Sequence, residues 1–314
     1  MLEILNYTLL NQTIVAATPL VLASLGGLYS ERTGVVNIGL EGMMLAGAFF
    51  AVWGDYITGS PWMGVLFAIG IGVALGLIHA ILTVTFKSDH IISGTAINIF
   101  SLGLTGYLLL VLFHTHGSTR ESVTQLPYIN FPSLTKIPVV GKFINEVFFN
   151  HTPIVYIALG LVILTWFLMY KTPLGLHIRA VGEYPEAADN MGINVNRIKY
   201  FGVIVSGALA GMAGAQLSIG VLTQFVQGMS SGRGFIALAA MIFGKWKPFG
   251  AMWASLLFGF GTALASNLQG TNVAIPNQFF LMVPFILTMV VLAGIVGKSI
   301  PPAADGKPYE KENK

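Results

Sequence analysis

Trp62-Met-Gly-Val-Leu-Phe-Ala-Ile-Gly-Ile-Gly-Val-Ala-Leu-Gly-Leu-Ile-His-Ala-Ile-Leu-Thr-Val-Thr-Phe86 holds no Asp, Glu, Lys or Arg across 25 residues. An α-helix needs about 20 apolar residues to cross a bilayer, so this run reads as a complete membrane span. The chain around it has the same character: 54% of residues are hydrophobic and 9% charged, with a mean hydropathy of +0.75. Soluble domains carry about 25% charged residues, so lipid solvates most of this chain. The sequence lacks cysteine, which excludes disulfides, thiolate metal sites and cysteine nucleophiles. A net charge of +3 is accounted for by basic residues at membrane flanks and calls for no nucleic-acid partner. Met1-Leu-Glu-Ile-Leu-Asn6 has no positive n-region, so no cleaved signal peptide is expected.

Working outward, further apolar runs occur at Thr13–Leu28, Val35–Trp53, Ile91–Phe113, Pro153–Tyr170, Phe201–Leu222, Phe249–Leu264 and Phe279–Val296. Phe235–Phe243 has only nine residues and reads as a half-helix, a re-entrant segment or a buried helix. The expected fold is an all-α integral membrane protein, a polytopic bundle of about 8–10 transmembrane helices including short or broken segments. Residues 1–297 form one membrane domain, with 114–152 as a loop on the outer side and 298–314 as a polar tail expected to be mobile. Val139–Phe149 within the loop fits a short interfacial helix. His114, His116 and His151 lie in or beside this loop without a further ligand at metal-site spacing.

Gly72-Val-Ala-Leu-Gly76, Gly207-Ala-Leu-Ala-Gly211 and Ala210-Gly-Met-Ala-Gly214 are small-xxx-small patterns that permit close helix approach. His79, inside a span, reads as a hydrogen-bonded packing residue. Glu41 lies inside a glycine-broken run and must face protein or water, because a lipid-facing carboxylate is costly. Two interrupted segments, Arg32–Ala48 and Gly232–Gly244, fall in opposite halves of the chain, an arrangement that points to a transport pathway between repeats. Neutral polar residues (Asn37, Asn98, Gln216, Gln224, Gln227) together with Glu41 and Arg233 are its candidate lining. They suit an uncharged hydrophilic solute better than a proton relay or an ion filter.

Thr172–Lys199 is a long polar interruption with helix signals of its own. Pro185 suits a first helical position and Gly192 the position after the last turn. Glu186 complements the helix dipole, and Ala187 with Ala188 would leave a smooth face. The stretch is either a docking element or a well-folded connector. Placing it on the cytoplasmic side puts twelve Lys and Arg inside and four outside, the direction that the positive-inside rule requires. Catalytic patterns are missing: Gly297-Lys-Ser299 ends like a P-loop, but Leu292 stands where the first glycine is needed.

Glu31-Arg-Thr-Gly-Val-Val-Asn-Ile-Gly-Leu-Glu-Gly-Met-Met-Leu-Ala-Gly47 resembles a signature of bacterial ABC-importer permeases of the branched-chain amino acid/ribose superfamily. Ile92-Ser-Gly-Thr-Ala-Ile-Asn98, Ile178-Arg-Ala-Val-Gly-Glu183 with Ala187-Ala-Asp-Asn-Met-Gly192, and Gly232-Arg-Gly-Phe-Ile-Ala-Leu-Ala-Ala-Met-Ile-Phe-Gly244 are similar to the simple-sugar and nucleoside branch. The resemblance implies a permease subunit in the plasma membrane of a bacterial cell, without catalytic activity. Its implied partners are a homologous second permease in a heterodimer, a cytoplasmic ATPase that binds ATP and Mg, and an extracellular solute-binding lipoprotein. The implied solute is a nucleoside, or alternatively a monosaccharide such as ribose or galactose; a self-sufficient carrier is the competing class. Residues 171–199 match the family's coupling loop, so the coupling role is carried onto Arg179, Glu183, Pro185, Ala187, Ala188 and Gly192.

Overall fold

The computed structural model describes residues 7–119, 123–130, 145–269 and 299–310, with 282, 286 and 289 in between. Among these residues there is no strand, only two isolated β-bridges. The helices are α1 (Tyr7–Arg32), α2 (Leu40–Thr58), α3 (Pro61–Ala80, continued by a π-turn at Ile81–Thr85), α4 (His90–Phe113) and α5 (Pro153–Lys171). They are followed by α6 (Pro173–Glu183), α7 (Pro185–Asn190), α8 (Val195–Ala215, continued by a π-turn at Gln216–Leu222), α9 (Arg233–Phe243) and α10 (Pro248–Gln269).

The helix starts follow local chemistry. Proline occupies the first position of α3, α5, α6, α7 and α10, where its missing N–H costs nothing. The Asp89 carboxylate accepts the Ile91 and Ile92 N–H groups ahead of α4, and Asn194 accepts Arg197 N–H ahead of α8. Each cap satisfies donors that the first helical turn leaves unpaired. Gly59 and Gly192 turn the chain out of α2 and α7 at φ of +68° and +85°.

Six described helices are long and apolar enough to cross a membrane: α1, α3, α4, α5, α8 and α10. Of the run Phe279–Val296 only residues 282, 286 and 289 are described, each helical; the rest lies outside the described residues. Burial separates the crossing helices into centre and rim. In α1 and α8, 83% and 78% of the most apolar window is buried in protein, against 22% in α4 and 33% in α5. The first pair therefore forms the core, wrapped by α2, α3 and α10, while α4 presents Ile92, Ile99, Phe100 and Tyr107 outward.

The small-xxx-small patterns meet one another. A methyl group on Gly72 would collide with the Gly207 carbonyl, one on Gly207 with the Gly72 carbonyl, and one on Gly211 with the Ala68 carbonyl. Without an aqueous driving force between helices, such backbone contact is what holds α3 on α8. His79 is a packing residue: its Nδ1 meets Ser93 Oγ at 2.8 Å and its Nε2 meets the Val36 carbonyl at 3.0 Å.

The polar tail is not loose over its described part. Residues 299–310 lie against the basic end of the bundle, with Pro302 and Ala304 buried. Over residues 299–310 the tail makes defined contacts, because the Ala303 and Ala304 amides find acceptors on the 172–199 hairpin. Sequence polarity gave no sign of those partners.

Candidate functional site

The chain leaves α1 at Arg32 and runs without regular structure through Thr33–Gly39 before α2 begins at Leu40. Asn37 in this segment donates to Ser206 Oγ at 2.9 Å. Ser206 lies about 16 Å along α8 from Val195, at 1.5 Å per residue. In a hydrocarbon core about 30 Å thick, that is close to the midplane. A second irregular segment, 223–232, leaves the far end of α8 and leads into α9. With 11 residues, α9 is about 16 Å long and covers only half the core.

The two segments meet at Glu41. Its Oε1 accepts the Gly232 N–H and its Oε2 accepts the Gly234 N–H, both at 2.7 Å. A carboxylate in the first turn of α2 thus caps α9, satisfying unpaired donors and opposing the positive end of the α9 dipole. Charged hydrogen bonds of this kind contribute about 1.5–3 kcal/mol each. The glycines are obligatory: Gly232 has φ +80°, and any side chain on Gly234 would strike the Glu41 backbone. Asn98 on α4 completes the junction, accepting Gly42 N–H at 2.7 Å and donating to the Ile38 carbonyl at 3.0 Å.

A cavity of about 280 Å³ opens beside the junction, lined by Glu41, Asn98, Leu102, Gly228, Ser230 and Ser231. A second cavity, of about 300 Å³, has Gln12, Leu217, Arg233, Thr262 and Ser266 among its walls. The Arg233 guanidinium holds its own turn, donating to the Met229 carbonyl at 2.9 Å. Glu41, Asn98 and Arg233 are therefore gathered around one helix terminus.

Two other candidates are not brought to this place. Asn37 and Gln216 are fully buried. The first holds Ser206, and the second accepts the Thr152 hydroxyl at 2.9 Å. In this arrangement both side chains bridge packed elements, while Asn37 Oδ1 is left buried without a hydrogen-bond partner. Gln224 and Gln227 belong to the irregular segment, which the outer loop covers through Thr119 N–H to the Phe225 carbonyl and Val123 N–H to the Thr223 carbonyl. The junction residues that the sequence reading missed, Ser206, Ser230 and Ser231, have no pattern that marks a serine as sited beside a helix break.

At the basic end, Thr172–Lys199 is a hairpin of two helices. The sequence reading found α7 but not α6, although Thr172 Oγ accepts Gly175 N–H and Pro173 opens the helix. The Arg179 guanidinium lies 5.2 Å from the Tyr170 ring centre, and Glu183 reaches Arg32 at 3.9 Å. Ala187 is exposed. Ala188 is 4% exposed and packs with Val181 and Val195, so the expected two-alanine face is halved. A helix of six residues cannot direct adjacent positions to the same side. The outer surface instead carries Tyr184 and Met191, 65% and 83% exposed.

The hairpin and the junction are mechanically joined. Arg32, which meets Glu183, donates from Nε and Nη2 to the Trp246 carbonyl just past α9. Trp246 Nε1 donates to Glu31 at 2.6 Å. One end of α9 is therefore tied to the hairpin and the other to Glu41.

Residues 9–292 match the family described as branched-chain amino acid transport system / permease component. The chain is 42% identical over 310 residues to the guanosine ABC transporter permease protein NupQ of Bacillus subtilis, covering 95% of each chain. It is also 42% identical over 270 residues to the putative glucose ABC transporter permease protein of Haloferax volcanii, covering 86% of this chain and 80% of that one. Its identity to NupP, a second guanosine ABC transporter permease protein of B. subtilis, is 27% over 287 residues, covering 90% and 81%. With six described helices long and apolar enough to cross a membrane and a match across nearly its whole length, the chain belongs to the branched-chain amino acid transport system permease family, as a multi-pass plasma-membrane protein.

Proposed function

We propose that this chain is one permease subunit of an ATP-binding-cassette importer for nucleosides. The observation that carries the solute class is the 42% identity to a guanosine permease protein over 95% of both chains, a fuller match than the equally identical glucose permease protein gives at 86% and 80%. The junction supports the same reading. The groove beside the capped carboxylate is mainly apolar, with Ser231 and Asn98 at its wall, a surface against which the face of a nucleobase could lie.

The mechanism follows from the two ends of α9. A cytoplasmic ATPase, which binds ATP and Mg, receives the Tyr184–Met191 surface of the hairpin. Its closure shifts the hairpin; Glu183 and Arg32 carry the shift to Trp246, and α9 carries it to Glu41. The junction then opens to one side or the other, giving alternating access. The chain itself performs no hydrolysis. A homologous second permease completes the pathway, a reading supported by the likeness to both NupQ and NupP, and an extracellular solute-binding lipoprotein delivers solute from outside.

The test is uptake of labelled guanosine, uridine and ribose by cells with and without the gene, with cross-competition. Loss of nucleoside uptake alone is expected. Loss of ribose uptake alone would move the chain to the sugar permeases, and survival of all three would remove the nucleoside assignment.

A further inference from the structure

We propose that the strap Pro302–Glu310 is a positioning element of the transporter, keyed by Asp305, that holds the coupling hairpin in register with the helices it moves. The inference rests on the coupling role of residues 172–199 proposed above, and nothing in the sequence reading assigned these residues a function.

The strap binds the hairpin through its backbone. Ala304 N–H donates to the Gly182 carbonyl at 2.9 Å, and Ala303 N–H donates to Glu183 Oε2 at 3.3 Å. Gly182 leaves no room for a side chain, because Arg32 and Pro302 stand against it. The other contacts run to the bundle. Lys199 Nζ, at the start of α8, donates to the Lys307 carbonyl at 3.4 Å. Lys87, after α3, pairs with Glu310 at 2.8 Å. Ser299, just ahead of the strap, donates to the Ile242 carbonyl in the last turn of α9 at 2.7 Å.

Asp305 is the key because of what surrounds it. Its Oδ1 is buried without a hydrogen-bond partner, and its carboxyl group lies beside Glu31 at the end of α1, with the Lys199 ammonium close by. Glu31 is the residue that accepts Trp246 Nε1. A segment that merely covered the bundle would bury apolar side chains there, since an enclosed carboxyl group is costly unless it is hydrogen-bonded. Here the strap touches the hairpin, the start of α8 and the turn after α3, and its enclosed carboxyl group lands beside the residue that holds the end of α9. Hairpin, strap and α1 then shift as one body when the ATPase closes, and the movement is not lost in a hinge at Glu183–Tyr184.

The experiment uses the assembled transporter, with ATPase and second permease, in lipid vesicles. Solute moved per ATP hydrolysed is compared for Asp305→Ala, Asp305→Asn and the unaltered protein. Asp305→Ala is expected to assemble and hydrolyse ATP while the ratio falls about tenfold, a typical coupling effect. Asp305→Asn keeps a hydrogen-bonding group toward Glu31 and is expected to restore most of the ratio. An unchanged ratio in folded Asp305→Ala overturns the proposal, as does equal loss in both variants with a lowered melting temperature. A second readout is independent of that variant: a spin label on Ala303→Cys, a unique thiol in a cysteine-free chain. At a fixed pH of 6, where the strap is docked, the label is expected to keep the same mobility with and without trapped ATP, and release on ATP binding overturns the proposal. Failure of the coupling reading itself would look different, since the ATPase would then not bind the hairpin at all.

Discussion

Glu41 and Gly232 are 191 positions apart, yet the carboxylate of the first accepts the backbone N–H of the second at 2.7 Å. The contact joins the start of α2 to the start of α9 at mid-depth in the membrane, where two irregular segments end. Non-helical backbone at that depth survives only when enclosed by protein or lining a cavity, and here it does both.

Glu41→Ala leaves the Gly232 and Gly234 amides without their acceptor inside the membrane. Each unsatisfied donor costs about 1–3 kcal/mol, so a clear fall in melting temperature in detergent is expected, together with loss of uptake. Glu41→Gln keeps one acceptor oxygen and should lie between. A Glu41→Ala protein as stable and active as the parent would remove the junction from the mechanism.

The α3–α8 crossing predicts a contrast between neighbouring glycines. Gly72→Ala forces a methyl into the Gly207 carbonyl, whereas Gly70→Ala meets open space. Overpacking of this kind costs about 1–3 kcal/mol, so Gly72→Ala should be measurably destabilised while Gly70→Ala is neutral. Equal melting temperatures for the pair would contradict the packing described.

On the hairpin, Ala187→Arg and Ala188→Arg should fail for different reasons. Ala187 is exposed, so the first protein keeps its melting temperature and loses ATPase co-purification and uptake. Ala188 is buried with Val181 and Val195, so the second protein loses stability as well. An Ala187→Arg protein with normal uptake would show that α7 is a connector only.

Burial pushes the Asp305 carboxyl up to about 7, against an opposing pull from Glu31, Gly306 and Lys199. Its ordinary value is about 3.9, so the docked strap binds more protons than a released one. The stabilising contribution is therefore complete below about pH 4 and is lost as pH rises through about 7. A spin label at Ala303→Cys should gain mobility between pH 5 and pH 8, less steeply in Asp305→Asn, where Glu31 still titrates. Mobility independent of pH in the parent would show that Asp305 does not key the strap.

Much of the bundle is legible in sequence, because lipid exposure imposes a long apolar run wherever a helix crosses. The shortness of Phe235–Phe243 narrows it to a half-helix, a re-entrant segment or a buried helix, and the charge of Glu41 shows that it cannot face lipid. The partner of Glu41 was not legible, since an acceptor for two backbone amides leaves no trace in the sequence of the segment that donates them. The partners of Asn37 and Gln216 were not legible for a related reason: in sequence a neutral polar residue looks the same whether it lines a pathway or bridges two elements.

The sequence by itself determined a polytopic helical membrane protein, most of its long apolar helices and a short helix opening at Pro185, all consequences of local composition and spacing. The tertiary structure alone decided that Glu41 caps α9, that Ala188 turns inward and that the strap closes over Gly182. These are contacts between residues far apart in the chain, fixed by how closely backbones can approach and by which buried donor finds which acceptor.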